Sequence, residues 1–355
     1  MKPANVKTID WYQYNALFFM EHILGYPRFK KYFGERQKKL YEKIDKYLAG
    51  TETTKTFEVD IVDNNLTEEE FIKQCYNPVL PKVFKGAAKD WEAVKKWNLD
   101  YFEKEHGHYQ ILMIDNVGLA DDQQFESTTF GKYIQELRQG SRKYLKFSNV
   151  VNEHENLKTH FDLKWLRKLN KLPFGWGEDL KMFMGIGGTV TPLHVGFSPV
   201  LFVQVMGQKK WTFYPSTDRM FLDARTERTS YMFSNADPYN RNNPDYPLQK
   251  YAQQYQVTLD PGDVLWFPSF TWHHVENLST TIGIRYGRST LGCAWKSSKM
   301  MTILIFLATK PSALEHFITS YREKKNILTF MKSQEQLNNS PIEKINPLKS
   351  AANAG

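Results

Sequence analysis

A succession of short β strands separated by turn sequences constrains the fold of this 355-residue chain more than any other feature. Six segments between residues 181 and 286 are rich in β-branched and aromatic residues, which is typical of strands. These segments are 181–186, 200–205, 210–214, 256–259, 264–267 and 281–286. Turn sequences such as Gly187-Gly188 and Asp260-Pro261-Gly262-Asp263 separate them. Because no helix-length pattern interrupts this run, an antiparallel sandwich or barrel is favoured over a parallel α/β sheet.

Helical patterns flank the β region on both sides. Residues 11–48 carry apolar residues at helical spacing with an interruption at Pro27, and Thr67 with Glu70 forms the sequence of a capping box. A helical pattern returns over 300–332 and ends in a polar tail. The sequence therefore predicts a mainly β protein with flanking helices (α+β). The predicted segments are an N-terminal helical arm at 1–55, a β domain at 56–295, C-terminal helices at 296–335 that cover the domain or dimerise, and a tail at 336–355.

Composition excludes several classes of protein. With 41% hydrophobic residues the chain is expected to be globular, and its two cysteines exclude a disulfide scaffold or a cysteine-based zinc module. The N-terminus does not resemble a signal peptide, and the most apolar run, 300–308, is too short for a membrane span. We therefore expect a cytoplasmic protein without a membrane span.

The net charge of +8 is concentrated at the two ends of the chain. Residues 1–50 and 296–355 each carry a net charge of +5, which leaves −2 for residues 51–295. This excess is too small to indicate a nucleic-acid-binding protein. Basic ends are instead consistent with docking of an acidic partner, such as a carrier protein with a tethered substrate.

Residues 216–255 form a long polar segment, rich in Asn, Pro and Tyr, between two predicted strands. Connections of this length in a compact domain are usually functional. We interpret the aromatic part, 231–246, either as a cover over a substrate or as a solvated loop.

Histidines near the ends of two predicted strands are candidate metal ligands. His194 follows Thr191-Pro192-Leu193, whereas His273 and His274 follow Trp272 much later in the chain. Two imidazoles on separate strands can bind Fe, Zn, Ni or Cu. On spacing alone, structural histidines are the more frequent case.

Several ordered blocks of the sequence carry a family resemblance. The blocks are Thr191-Pro-Leu-His194, Val203-Gln-Val-Met-Gly-Gln-Lys209, Leu259-Asp-Pro-Gly-Asp-Val-Leu-Trp-Phe-Pro268 and Trp272-His-His-Val-Glu-Asn-Leu278, together with upstream segments at 77–91 and 97–101. This combination resembles the cupin-like (JmjC-type) Fe(II)/2-oxoglutarate oxygenases, particularly their asparaginyl-hydroxylase branch. The resemblance covers about residues 67–290. It implies a double-stranded β-helix, or jelly roll, with an iron site at one end.

The resemblance also implies roles for individual residues. His194 and His273 match the two histidine ligands of Fe(II), whereas adjacent His274 is expected to face the opposite side of its strand. Thr191 and Lys209 match the residues that hold the distal carboxylate of 2-oxoglutarate, and Tyr144 is a further candidate for that carboxylate. A surface lysine in a turn is the alternative interpretation of Lys209.

The chain departs from the family pattern at the third metal ligand. Gly196 occupies the position of the ligand aspartate, as glycine or alanine does in the 2-oxoglutarate-dependent halogenases. That change implies a halide, most simply chloride, in the vacated position at Gly196, since chloride would restore the missing negative charge. Arg285 stands where many relatives have asparagine. It can act as an anion partner or form a structural ion pair.

Three functions are compatible with this pattern. The leading prediction is a radical halogenase that chlorinates an unactivated C–H bond and converts 2-oxoglutarate to succinate. The first alternative is an Fe(II)/2-oxoglutarate hydroxylase of a protein or small molecule, in which water or a carboxylate from another segment replaces the aspartate. The second alternative is a non-catalytic cupin-like binding protein. The expected partners are a small-molecule or carrier-tethered substrate and, through the C-terminal helices, a second copy of the chain.

Overall fold

Two large β sheets with flanking helices form the described part of the chain, which confirms the predicted fold class. The computed structural model describes residues 2–51, 56–115, 124–226, 228, 232–309 and 313–324. Residues 52–55 at the end of the predicted N-terminal arm, Tyr231 and the predicted tail at 336–355 lie outside these residues. The strands are β1 (Thr56–Glu58), β2 (Ile61–Val62), β3 (Lys82–Phe84), β4 (Gln110–Asp115), β5 (Gln124–Thr129), β6 (Leu145–Ser148), β7 (Gly175–Gly185), β8 (Val190–Val195), β9 (Val200–Met206), β10 (Lys209–Tyr214), β11 (Met232–Phe233), β12 (Gln254–Leu259), β13 (Val264–Phe267), β14 (Trp272–Asn277) and β15 (Thr281–Thr290).

The helices lie before, between and after these strands. They are α1 (Thr8–Leu24), α2 (Tyr26–Leu48), α3 (Glu68–Phe71), α4 (Glu92–Lys96), α5 (Leu99–His106), α6 (Phe130–Arg138), α7 (Val150–Glu153), α8 (Glu155–Lys158), α9 (Leu163–Leu169), α10 (Leu291–Ser297), α11 (Lys299–Phe306) and α12 (Ala313–Glu323). The N-terminal pattern is interrupted at Gly25, whose φ of 78° suits glycine, whereas Pro27 occupies the first turn of α2, where a missing N–H costs nothing. The predicted capping box of Thr67 and Glu70 is present at α3.

The two sheets pack face to face. One sheet has the strand order β1-β12-β10-β14-β8-β11 and the other β2-β3-β13-β9-β15-β7-β6. Neighbours pair antiparallel except β1 with β12 and β2 with β3. All six predicted strands are present; β13 has the predicted bounds and the other five extend beyond them, most of all β7 and β15. The arrangement is that of a jelly roll, in which segments distant in sequence meet between the sheets.

Three apolar clusters stabilise this architecture. The inner cluster lies between the sheets and includes Phe183, Phe202, Trp211 and Phe267. A second cluster joins the outer face of β7, β9 and β15 to helices α3–α9. The third joins α1, α2 and the C-terminal helices to one end of the β domain. Only the inner cluster surrounds the candidate metal ligands described below.

The apolar run at 300–308 forms α11 and packs within its own chain. Met301, Leu304 and Ile305 are buried in the third cluster, whereas Ile303 and Leu307 are exposed. These buried side chains correspond to the covering role expected of the C-terminal helices. Dimerisation through this region stays a prediction. In the part of the chain that the structure describes, no helix is both long and apolar enough to cross a membrane.

Candidate active site

Strands β8 and β14 bring His194 and His273 together between the sheets. The two residues are direct partners in the antiparallel register, and their ring centroids lie 4.1 Å apart. The next pair in register is Thr191 with Val275, so three steps along β8 correspond to two along β14. This bulge at Pro192 and Leu193 lets Thr191 and His194, which regular alternation would place on opposite faces, point into the same interior.

The hydrogen bonds of both histidines select the tautomer that suits a metal ligand. Nδ1 of His194 lies 2.7 Å from the carbonyl oxygen of Pro192, and Nδ1 of His273 lies 2.8 Å from that of Thr271. Each Nδ1 therefore carries the proton and donates it to a carbonyl, which leaves the lone pair on Nε2. Burial lowers the pKa of His194 well below its usual value and that of His273 to about 4, so both rings are neutral at pH 7.

His274 lies on the other side of β14, as predicted from strand alternation. Its ring packs at 90° against Tyr239, with centroids 5.6 Å apart, and the Tyr239 hydroxyl donates a hydrogen bond to Glu276. Tyr239 belongs to the long 216–255 segment, which here lies against the outer face of the sheet. Earlier in the same segment, β11 pairs with β8, where Phe233 is the partner of His194. The described residues of this segment thus border the site at one strand.

The third metal-binding position lacks a protein carboxylate. Among the described residues, no group of three His, Cys, Asp or Glu side chains is placed to hold a metal ion. A Cβ atom added to Gly196 would meet no atom within 4 Å, so space for a side chain or an anion is present there. The two imidazoles are suitable ligands for Fe(II), as in the oxygenase family that the sequence resembles. That family has an additional carboxylate ligand, which is missing here.

A buried lysine and tyrosine lie beside the histidines. Nζ of Lys209 donates a hydrogen bond of 3.1 Å to the Tyr144 hydroxyl, and the Lys209 residue is only 1% exposed. The surface-lysine interpretation of Lys209 is therefore wrong. Burial raises the pKa of Tyr144, although Asn277 and Thr191 donate hydrogen bonds to its oxygen and oppose that shift. These four polar side chains converge where the resemblance places the distal carboxylate of 2-oxoglutarate.

Burial, together with the positive charge of Lys146, lowers the pKa of Lys209 to about 7. An ammonium group in apolar surroundings without a carboxylate is costly, unless a bound anion compensates for the lost hydration. The environment of Lys209 is therefore suited to a ligand with a negative charge.

Lys146 is a second buried cation of this interior, and sequence reasoning missed it. Burial lowers its pKa to about 8, and its Nζ lies 5.0 Å from the centroid of the Tyr144 ring. Regular alternation turns it inwards, because the preceding residue, Leu145, packs in the outer cluster, and a bulge follows: Leu145 and Ser148 are three residues apart but pair with β7 residues only two apart. Phe147, inside the bulge, has a φ of 53°, which is strained for a residue other than glycine. The spacing Tyr144-x-Lys146, which places two side chains on one face of a strand, was the available signal.

Arg285 forms a buried ion pair with a protein carboxylate. Its Nη1 lies 2.9 Å from Oδ1 of Asp179, and Nζ of Lys181 lies 3.7 Å from Oδ2 of the same carboxylate. Lys181 also donates a hydrogen bond to Asn149. Of the two predicted roles of Arg285, the structural ion pair is the one observed. Asp179 and Lys181 were not predicted, and no local pattern distinguishes them from surface charges.

A surface cleft of about 930 Å³ lies elsewhere on the molecule. It is lined mainly by charged side chains, including Lys168, Glu178 and Arg288. Glu178 faces this cleft from the opposite side of β7 to Asp179, because neighbouring strand residues alternate. The cleft is therefore separate from the histidine site, and the chemistry of its residues does not indicate a reaction.

Known proteins resemble this chain over the region that contains the site. A model of the family described as "Cupin-like domain" matches residues 67–286. Among curated proteins, "Lysine-specific demethylase JMJ30" of Arabidopsis thaliana is 27% identical over 63% of this chain and 53% of its own length. "2-oxoglutarate and iron-dependent oxygenase JMJD4" of Mus musculus is 24% identical over 73% of this chain and 66% of its own length.

The name of a further relative states a different activity. "Bifunctional peptidase and (3S)-lysyl hydroxylase JMJD7" of Homo sapiens is 22% identical over 64% of this chain and 83% of its own length. The chain spans about half the length of several of the curated relatives that it matches.

Proposed function

Because the chain belongs to the cupin-like domain family, we propose that it is an Fe(II)- and 2-oxoglutarate-dependent oxygenase that hydroxylates a C–H bond. One observation carries this proposal. The neutral imidazoles of His194 and His273 and the pair formed by Lys209 and Tyr144 face one interior between the sheets. These are the two groups of side chains that a metal ion and a dicarboxylate co-substrate require.

The residues of the site have separate tasks in this proposal. His194 and His273 would hold Fe(II) through Nε2, with their ring orientation maintained by the carbonyls that accept from Nδ1. Lys209, Tyr144 and Thr191 would bind and orient the distal carboxylate of 2-oxoglutarate. When bound, the iron would supply the redox chemistry by which O2 oxidises both partners, giving succinate and CO2 from 2-oxoglutarate and a hydroxyl group on the substrate. The apolar inner cluster around the site excludes bulk water.

Hydroxylation is preferred to halogenation as the outcome of the reaction. The relatives carry names of oxygenases, a hydroxylase and a demethylase, and none of the quoted names is that of a halogenase. A water molecule can complete the coordination where Gly196 provides no ligand. Chlorination is the second candidate. It is favoured by the open space beside Gly196, which can accommodate chloride, an anion with the same charge as the missing carboxylate.

Binding of the co-substrate provides the first test. Under anaerobic conditions with Mn(II), 2-oxoglutarate should bind the wild-type protein, and Lys209→Met should weaken that binding about 100-fold or more, since a charge-assisted contact is lost. Lys210→Met is the matched control, because Lys210 is the next residue of β10 and its Nζ lies over Tyr239 on the outer face. If wild type and both variants bind equally, or if none binds, the oxygenase proposal fails and a non-catalytic binding protein remains.

Turnover distinguishes hydroxylation from chlorination. Succinate release is measured with the Fe(II)-loaded protein, 2-oxoglutarate and O2, in chloride-free buffer and after addition of chloride. Equal rates in the two buffers support the oxygenase. A rate that requires chloride would replace hydroxylation by halogenation as the function.

A further inference from the structure

The interior between the sheets contains more positive than negative charge. Lys146, Lys181, Lys209 and Arg285 are all at most 5% exposed, and Asp179 is the carboxylate that faces them among the described residues. Four cationic side chains and one carboxylate give an excess of three formal positive charges. The amino-acid composition does not reveal this buried excess of positive charge, because residues 51–295 as a whole have a net charge of −2.

The positive charges form two groups with different partners. Arg285 and Lys181 share the Asp179 carboxylate, and Lys181 is further hydrogen-bonded to Asn149. Lys146 and Lys209 have no carboxylate partner in the described residues. Lys209 is bonded to the Tyr144 hydroxyl, and the ammonium group of Lys146 lies 5.0 Å from the centroid of the Tyr144 ring. Lys146 therefore lies in the same interior as Lys209 and Tyr144.

Fe(II) and 2-oxoglutarate do not neutralise this excess. The two positive charges of Fe(II) equal the two negative charges of the co-substrate, so their binding together leaves the local total unchanged. An aspartate in the metal site would remove one positive charge, but Gly196 stands there. One of the cations near the histidines therefore stays uncompensated until another anion binds.

A hydrogen-bond donor of the same interior also has no partner. The Trp211 ring lies 5.9 Å from that of His273, and its indole N–H is buried without an acceptor among the described residues. A donor in this situation is normally satisfied by a bound water or ligand. Together with Lys146 it favours a ligand that accepts hydrogen bonds.

We propose that Lys146 binds an oxyanion of the primary substrate, that is, a carboxylate or phosphate group; this inference rests on the function proposed above. The substrate of this chain is then an anionic molecule. A lysyl side chain, which the names of two relatives specify for those proteins, is disfavoured here because its ammonium group would enter an interior that already has excess positive charge.

Binding of a small anion to the loaded protein tests this assignment. The wild-type protein with Mn(II) and saturating 2-oxoglutarate is titrated anaerobically with methylphosphonate by calorimetry, at constant ionic strength. We expect binding that Lys146→Met weakens at least about tenfold and that Lys146→Arg retains. Lys132→Met, which removes an exposed lysine of α6, should bind as the wild type does. The cationic probe n-butylammonium should not bind.

Several outcomes would overturn the assignment. One is that methylphosphonate does not bind, or binds equally well to Lys146→Met. A second is that methylphosphonate displaces 2-oxoglutarate. A third is that Lys146→Met and Lys209→Met lose the same amount of affinity for 2-oxoglutarate. Either of these results would place Lys146 in the co-substrate site. Binding of n-butylammonium would also contradict it. If 2-oxoglutarate itself does not bind, the proposed function fails, and the same titration without it still measures whether Lys146 binds the anion.

Discussion

At the level of single residues, two glycines of the site differ in what surrounds their missing side chains. A Cβ atom on Gly185 would lie 2.8 Å from the ring of Tyr144, closer than such atoms approach in proteins, and 3.1 Å from the hydroxyl of Thr189, which is a tight contact. A Cβ atom on Gly196 would meet nothing. The first glycine is therefore required by close packing, whereas the second leaves an open space next to the proposed metal site.

Gly185→Ala should impair binding of 2-oxoglutarate. The added methyl group would displace the Tyr144 ring and with it the hydroxyl that meets Lys209, at a cost to stability of about 1–3 kcal/mol. Calorimetry with Mn(II) and urea unfolding measure the two effects. Gly34→Ala, in α2, is the control: its Cβ meets only the flexible Lys30 side chain, so it should bind 2-oxoglutarate normally. If Gly185→Ala bound 2-oxoglutarate as the wild type does, Tyr144 would not be one of the residues that bind its carboxylate.

Gly196→Asp should tighten metal binding. The space beside Gly196 can accept the side chain, and its carboxylate would add an anionic donor to the two imidazoles. We expect the affinity for Mn(II), measured by calorimetry, to rise by about tenfold or more, equivalent to about 1.4 kcal/mol. Gly196→Asn, similar in shape but neutral, should give a much smaller increase. Equal affinities of wild type and Gly196→Asp would indicate that the introduced carboxylate does not reach the metal.

At the level of elements, two bulged strands direct the functional side chains inwards. The bulge in β8 lets Thr191 and His194 face the same interior, and the bulge in β6 lies between Leu145 and Ser148. Proline at position 192 is compatible with the first bulge, because proline cannot donate to a regular ladder. Regular strands would have presented a different set of side chains.

Helix α11 should stabilise the fold through one face only. Leu304→Ala removes a fully buried side chain from the third cluster and should lower the free energy of unfolding by about 2–5 kcal/mol. Leu307→Ala, just after the helix, changes a side chain that is 41% exposed and should have an effect within about 0.5 kcal/mol. Urea unfolding measures both. If both variants lost the same free energy of unfolding, and if that loss depended on protein concentration, this region would instead be a dimer interface.

At the level of the whole molecule, surface and interior have opposite charge balances within the β domain. Residues 51–295 have a net charge of −2, yet the space between the sheets has an excess of cations. Burial of uncompensated charge destabilises the protein without ligands, as is common for sites that bind ions. Stability and anion binding are therefore coupled.

The free energy of unfolding of the ligand-free protein should rise between pH 7 and pH 10. Burial lowers the pKa of Lys209 to about 7 and that of Lys146 to about 8, below the value of about 10.4 expected in the unfolded chain. In this window the unfolded state binds more protons, so stability increases with pH, by up to about 1.4 kcal/mol per unit for each lysine. Urea unfolding of wild type and of Lys146→Met/Lys209→Met measures the difference, and identical slopes would contradict it.

Much of the architecture was predictable because its signals are local. The alternation and composition of 264–267 indicated a strand that the structure has at the same residues, and the capping box at Thr67 indicated the start of a helix. Ordered sequence blocks also identified His194, His273 and Lys209, which the structure places in one interior. Strand pattern and turn chemistry depend on neighbours within a few residues, which a single sequence displays.

The sequence by itself determined the strand-rich fold, the histidine pair and the absence of a carboxylate at position 196, since a glycine has no side chain in any conformation. Only the tertiary structure decided that Lys146 is buried beside the site, that Lys209 is not a surface residue and that Arg285 pairs with Asp179. Burial and pairing depend on contacts between segments far apart along the chain. The charge that a ligand must carry is therefore a property of the folded interior, and the composition does not show it.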